Sequence, residues 1–161
     1  MFNFDNTFFD KLLNSADESE RRRAHHCLHK DHSESVQRLC IGLKNGTYVR
    51  PHCHTHDGAW EMIFVLKGKV ALTIFDDEGY VAKQIEMLPG AECAGVELTP
   101  GTWHTIVPVD SEAVIFEVKE GPFSAEKLSI FAEWSPEEGS GEVNDFLKWM
   151  QSATVGDKYS C

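Results

Sequence analysis

From about residue 36 to residue 119 the chain is a series of short runs rich in Val, Ile, Phe and Thr, broken by a turn signal every eight to twelve residues. The breaks are Lys44-Asn45-Gly46, Lys67-Gly68, Asp76-Asp77-Glu78-Gly79, Leu88-Pro89-Gly90, Thr99-Pro100-Gly101 and Val109-Asp110-Ser111. In each, Gly, Pro or Asp supplies the backbone geometry of a tight reversal. At least seven candidate strands lie between or beside these breaks. That rhythm predicts an all-β fold, an antiparallel barrel or sandwich.

The flanks read differently. Phe8, Phe9, Leu12, Leu13 and Ala16 recur at helical spacing behind the candidate caps Asp5 and Asn6, so residues 6–16 predict a short amphipathic helix over one flank of the barrel. A charged stretch, Asp17 to Arg23, follows, and then His25, His26, His29 and His32 crowd together with no clear period. These four read as surface histidines, with a second metal-binding cluster at the barrel mouth as the sharper alternative. After Gly121-Pro122 the β signal fades, and Val143, Phe146, Leu147 and Met150 mark a closing amphipathic helix. The expected organisation is an N-terminal helical extension over residues 1–20, a barrel with its closing helix over 21–152, and a loose tail over 153–161.

At 161 residues and 42% hydrophobic, one such domain can bury a core without disulfide or metal staples. A formal charge of −11 opposes association with nucleic acid or anionic membranes. The longest apolar stretches, such as Met62 to Leu66, are far short of the roughly 20 residues a membrane-spanning helix needs. The start, MFNFDNTFFD, carries acidic residues where a secretory leader has Lys or Arg, and so predicts a cytoplasmic protein. Five cysteines without a Cys-x-x-Cys spacing fit reduced thiols.

Side chains alternate along a strand, so Tyr48, Arg50, His52, His54 and, further on, His56 are expected to line one wall. Imidazoles two residues apart on one face can converge on one metal ion. Glu61 would add a carboxylate from the neighbouring strand, with Ile63 and Val65 following it inward. His104 opens another strand just after the Pro100-Gly101 turn, which could swing it against the first pair. Three imidazoles and one carboxylate would leave one or two coordination positions open, as a catalytic metal site requires. Arg50 could hold an anionic substrate group through a bidentate pair, and its plainer reading is a strand-edge arginine paired with Asp or Glu. Glu117 and Lys119 alternate with Phe116 and Val118, and with Val114, Phe116 and Val118 in the core this charged pair faces water. Trp60, Trp103 and Cys53 have the opposite parity to the ligands and are expected to pack away from them.

The spacing Gly46-x5-His52-x-His54-x6-Glu61-x6-Gly68 resembles the first cupin motif, and Pro100-Gly101-x2-His104 resembles the second. The resemblance implies a double-stranded β-helix barrel whose metal is bound by His52, His54, Glu61 and His104. General cupins have three or four residues between the second histidine and the glutamate. Counting from His56 restores that spacing, so His56 is the alternate ligand. Gly46 and Pro51 favour His52 and His54. Pro108 stands where general cupins have Asn. From about Arg21 to Trp149 the chain also resembles the WbuC-type cupins found beside bacterial surface-polysaccharide genes, through RRRA (21–24), VQRL (36–39), GTYVRPHCH (46–54), WE (60–61), FDDEG (75–79), PGTWHT (100–105) and FEVKEGPF (116–123). Residue 25 is His where that family's pattern has Asn.

These features imply one divalent ion, Zn, Mn, Fe or Ni, and a small-molecule substrate. The surface-polysaccharide setting points to a sugar phosphate or nucleotide sugar, and so to an isomerase or epimerase, with Arg50 and Tyr48 as substrate-binding residues. An Fe(II)-dependent dioxygenase and a non-catalytic metal- and sugar-binding module are the alternatives. Cupins often pair through sheet edges, which implies a homodimer.

Overall fold

The computed structural model describes residues 1–55, 58–122 and 129–160. Helix α1 (Asn6–Glu18) precedes strands β1 (Arg23–Cys27), β2 (Val36–Lys44), β3 (His52–Cys53), β4 (Glu61–Phe75), β5 (Val81–Met87), β6 (Gly95–Leu98), β7 (Trp103–Glu120) and β8 (Ile130–Phe131), and helix α2 (Val143–Met150) closes the chain. The strands form one eight-stranded sheet in the order β1-β2-β7-β3-β8, with β4 pairing β5, β6 and β7, and every strand pair is antiparallel.

Strand β7 organises the barrel. It pairs β4 along its length, from Glu61↔Lys119 to Phe75↔Trp103, while its C-terminal half also pairs β2 and its N-terminal end meets β3 at His52↔His104. A strand shared among three partners curls the sheet on itself. The enclosed face buries Leu39, Ile41, Leu43, Ile63, Val65, Val70, Leu72, Met87, Ile106 and Ile115 as one core.

Two of the expected breaks are not turns. β4 runs through Lys67-Gly68 and β7 through Val109-Asp110-Ser111. The β4–β7 register shifts between Val65 and Lys67 and again between Gly68 and Val70, so turn-like residues here mark bulges that bend a long strand. Gly68 has φ of 75°, and a Cβ there would run into the carbonyl of Glu112. Conversely, the aperiodic stretch after Arg22 contains β1, an edge strand paired to β2 from Arg23↔Leu43 to Cys27↔Leu39.

Both flanking helices form where the periodicity placed them. The Asp5 side chain caps α1 by accepting a 3.0 Å hydrogen bond from the Phe8 N–H. Phe9, Leu12 and Leu13 pack against Cys40 and Val114 on the outer face of the sheet. A Cβ on Gly42 of β2 would lie only 3.1 Å from Leu12 atoms, so this glycine admits the helix at close range. α2 buries Phe146 and Met150 against Tyr48, Phe75 and Val81. The last residues are docked rather than loose: Ala153 is buried, Lys158 bridges to Tyr80, and the Tyr159 ring meets Phe146 at 4.9 Å.

Candidate metal centre

Antiparallel pairing places His52 and His104 directly opposite each other on β3 and β7, with ring centroids 4.3 Å apart. His54 follows β3, and its carbonyl accepts a 2.6 Å hydrogen bond from the Gly101 N–H, which ties the Pro-Gly turn before His104 to the first histidine pair. Glu61 starts β4 on the inner face, with Ile63 and Val65 buried behind it as the alternation requires. The candidate ligand atoms of His52, His54, Glu61 and His104 all lie within 4.8 Å of one another.

Two backbone carbonyls set the imidazoles. With its proton on Nδ1, His52 donates to the Arg50 carbonyl at 2.9 Å, and His104 donates likewise to the Thr102 carbonyl at 2.9 Å. Each bond leaves an Nε2 lone pair facing the cluster, the tautomer a metal ligand needs. Glu61 Oε2 lies 3.4 Å from His54 Nε2 and 3.2 Å from His104 Nε2. Nevertheless His54 Nε2 and Glu61 Oε2 are buried without a hydrogen-bond partner. Buried polar atoms left unsatisfied are costly, and a shared cation would satisfy both. The donor set of three nitrogens and one oxygen fits a divalent transition metal.

The electrostatics agree. Burial, with the neighbouring His104, pushes His52 down to about 3, so its ring stays neutral and able to ligate. Burial also opposes charge on His104, but its contact with Glu61 outweighs this and holds the imidazole above its ordinary value. Burial would raise Glu61, yet His104 and His54 hold the carboxyl well below the usual range. Metal-free His104 therefore keeps its second proton to higher pH than a free imidazole does, and ligation must displace it. We expect divalent metal binding at a pH below the His104 titration to release protons, read by calorimetry in two buffers of different ionisation enthalpy. Affinity should rise with pH through the His104 titration, and zero release would mean that His104 is neutral before binding.

The cluster opens into a cavity of about 290 Å³ inside the barrel. Arg50 lines it, and among the described residues no carboxylate lies within ion-pairing distance of its guanidinium, so it is not the paired strand-edge arginine of the plainer reading. Tyr48 does not share this wall. Its hydroxyl donates to the Pro136 carbonyl at 2.7 Å and its ring packs 5.5 Å from Phe146. β3 spans only residues 52 and 53, so strand alternation does not reach back to Tyr48. His56 lies outside the described residues. Trp103 faces Asp77 and Trp134, away from the ligands, as its parity requires.

Glu117 and Lys119 overturn the expectation of a solvated pair. Both line the cavity, Glu117 is 7% exposed, and Lys119 Nζ lies 2.6 Å from its Oε1. Burial first, and then Glu61, raise Glu117 to about 7. Ile115 shares their inward face, while Val114 and Phe116 pack outward beneath α1. With both faces of β7 covered, alternation alone could not say which set of residues faced the interior. The histidine segment divides in a similar way: His25 borders the cavity, whereas His29 is buried and its Nδ1 accepts from the Arg38 N–H at 3.1 Å.

Residues 4–87 match the family model described as a domain of unknown function, DUF6016, a span that holds His52, His54 and Glu61 but stops before His104. No curated protein matches the sequence. Among solved structures, the DMSP lyase DddQ from Ruegeria pomeroyi is 21% identical over 72% of this chain and 54% of its own, with a TM-score of 0.53. Protein SO0799 from Shewanella oneidensis is 11% identical over 66% of this chain and 72% of its own, with a TM-score of 0.54. A cupin superfamily protein from Desulfitobacterium hafniense is 14% identical over 61% of this chain and 76% of its own, with a TM-score of 0.48. At these identities the likeness concerns the fold, an antiparallel cupin-type barrel.

Proposed function

We propose that this chain, which belongs to the DUF6016 family, is a metal-dependent cupin that acts on a small molecule in the cavity beside His52, His54, Glu61 and His104. One observation carries the reading: four ligand atoms converge within 4.8 Å, and two of them are buried without a hydrogen-bond partner. A divalent cation held there supplies Lewis acidity toward an oxygen of the bound molecule. Zinc, manganese, iron and nickel all suit the donor set.

The finer reading is a sugar isomerase or epimerase. It rests on the resemblance to WbuC-type cupins and on the acid–base pair in the cavity wall. Glu117, held at 2.6 Å by Lys119 Nζ, takes and returns the proton that isomerisation moves. Lys119 orients the carboxylate and balances its charge. The cytoplasm as location and a homodimer as assembly belong to the same reading.

The test is proton exchange. Metal-loaded protein is incubated in deuterated water with a panel of sugar phosphates and nucleotide sugars and followed by NMR. The expected result is loss of one carbon-bound proton signal or growth of an isomer, slowed about 100-fold or more by Glu117→Gln with metal content unchanged. Oxygen uptake by the iron-loaded protein without exchange would move the assignment to a dioxygenase, and binding shifts alone would leave a binding module.

A further inference from the structure

We propose that Arg50 is the anchor for an anionic group, a carboxylate or a phosphate, on the molecule that enters this cavity. The inference rests on the cavity being the substrate pocket, and it adds the chemical class of the substrate.

The starting point is where the arginine charges go. Arg21 and Arg23 both pair with Glu138, Arg22 with Asp17, and Arg38 with Glu34, at 2.7 to 3.0 Å. Arg50 is the remaining arginine of the chain, and among the described residues it meets only neutral oxygens. Its Nε donates to Ser135 Oγ at 3.2 Å, and Nη2 donates to the carbonyls of Ala132 at 3.0 Å and Ser135 at 3.3 Å. These bonds use one edge of the guanidinium and leave Nη1 for a ligand. A half-buried cation without a counter-charge is an arrangement that an incoming anion stabilises.

The other cavity charges each have a counter-charge in contact. Lys119 faces Glu117, Arg21 and Arg23 share Glu138, and Glu61 faces the histidine cluster. Arg50 alone among the described arginines faces no carboxylate, the two arginines on Glu138 leave one more positive charge in excess, and a bound divalent cation would add to both, within a chain whose overall charge is −11. A local positive pocket in an acidic protein draws small anions selectively, because the surrounding field repels large polyanions.

Arg50 is also preset. Three hydrogen bonds fix its plane, and its Cζ lies 5.5 Å from the centre of the Phe131 ring. The same ring lies 6.2 Å from the ring of His52, so one aromatic side chain spans the anchor and the ligand cluster. Little side-chain freedom remains to be lost when an anion arrives. The cavity volume of about 290 Å³ is at the low end for small-molecule pockets. That size suits a small acid or a monosaccharide phosphate.

The test uses three probes: glycolate, methyl phosphate and, as the uncharged counterpart of glycolate, ethylene glycol. Each is titrated calorimetrically into Co(II)-loaded protein. Glycolate or methyl phosphate should bind, and the preferred one reports carboxylate or phosphate as the anionic group. Arg50→Gln and Arg50→Met should weaken that binding at least tenfold while Co(II) stays at one per chain. Ethylene glycol should bind far more weakly and respond to neither substitution. A change under twofold, or equal binding of glycolate and ethylene glycol, overturns the inference.

The wild type supplies a readout that depends neither on a variant's folding nor on the metal. The Nε–H resonance of Arg50 in metal-free protein should shift as the preferred anion is added, and its failure to move also overturns the proposal. If Co(II) fails to bind but this resonance shifts, the metal assignment falls and the anion site stands.

Discussion

His104→Ala should cost the protein its tight metal binding, lowering divalent affinity by about 100-fold or more while the barrel still folds. Structural zinc sites in peptides bind with roughly 10–16 kcal/mol, and on that scale the loss of one of four ligands removes about 3 kcal/mol, or about two orders of magnitude. The loss exceeds that of a peripheral contact because His104 is 2% exposed and its backbone-anchored ring is already aimed at the cluster, so water cannot substitute for it without reorganisation. Elemental analysis after dialysis against a weak chelator should find one metal per chain in the wild type and well below one in the variant. His52→Ala should behave in the same way. His56→Ala should leave the stoichiometry at one, and if it abolishes binding while His52→Ala does not, the ligand register moves by two residues.

Leu72→Ala should destabilise the metal-free protein by about 3 kcal/mol and lower its midpoint of thermal unfolding by roughly 10 °C. Leu72 is fully buried, with Ile85 of β5 opposite it on one side and Ile106 of β7 on the other. Truncation removes transfer free energy and leaves a void that two paired strands cannot close without giving up ladder hydrogen bonds. Leu88→Ala, at a side chain 36% exposed, should change stability by less than about 0.5 kcal/mol. Urea unfolding in the presence of chelator is the appropriate measurement, since a metal bound only by the native state would otherwise add to the apparent stability. Equal effects at the two leucines would mean that the curled sheet does not enclose the core described.

Much of the fold is legible in one dimension because its determinants are local. The spacing of Phe8, Phe9, Leu12, Leu13 and Ala16 sets an apolar stripe on α1 whatever it packs against, and Asp5 caps it through a contact three residues away. The ligand quartet is legible for a related reason. His52 and His54 are neighbours, Glu61 opens the next strand, and the Pro100-Gly101 turn flags the strand that begins at Trp103.

The misreadings share a cause. Lys67-Gly68 and Val109-Asp110-Ser111 have the composition of turns, but the residues on either side of each stay paired within the same sheet, so the irregularity becomes a register shift inside β4 and β7 rather than a reversal. Tyr48 fails to join the cavity wall because the extended segment around His52 is only two residues long as a paired strand. Residues 153–160 dock through Ala153, Lys158 and Tyr159, contacts with sequence-distant partners that no local pattern announces.

The sequence by itself determined that the chain makes short antiparallel strands between two amphipathic helices, and which four side chains could meet a metal, because turn chemistry, side-chain alternation and helical periodicity act over a few residues. Only the tertiary structure decided which face of β7 is the interior. Once α1 covers the outside with Phe9, Leu12 and Leu13, both faces of that strand are shielded from water, and the pattern of apolar residues no longer distinguishes them. The curl of the sheet therefore turned Glu117 and Lys119 inward beside Glu61, and the loop bearing Ala132 and Ser135 left Arg50 in the same cavity without a carboxylate among the described residues.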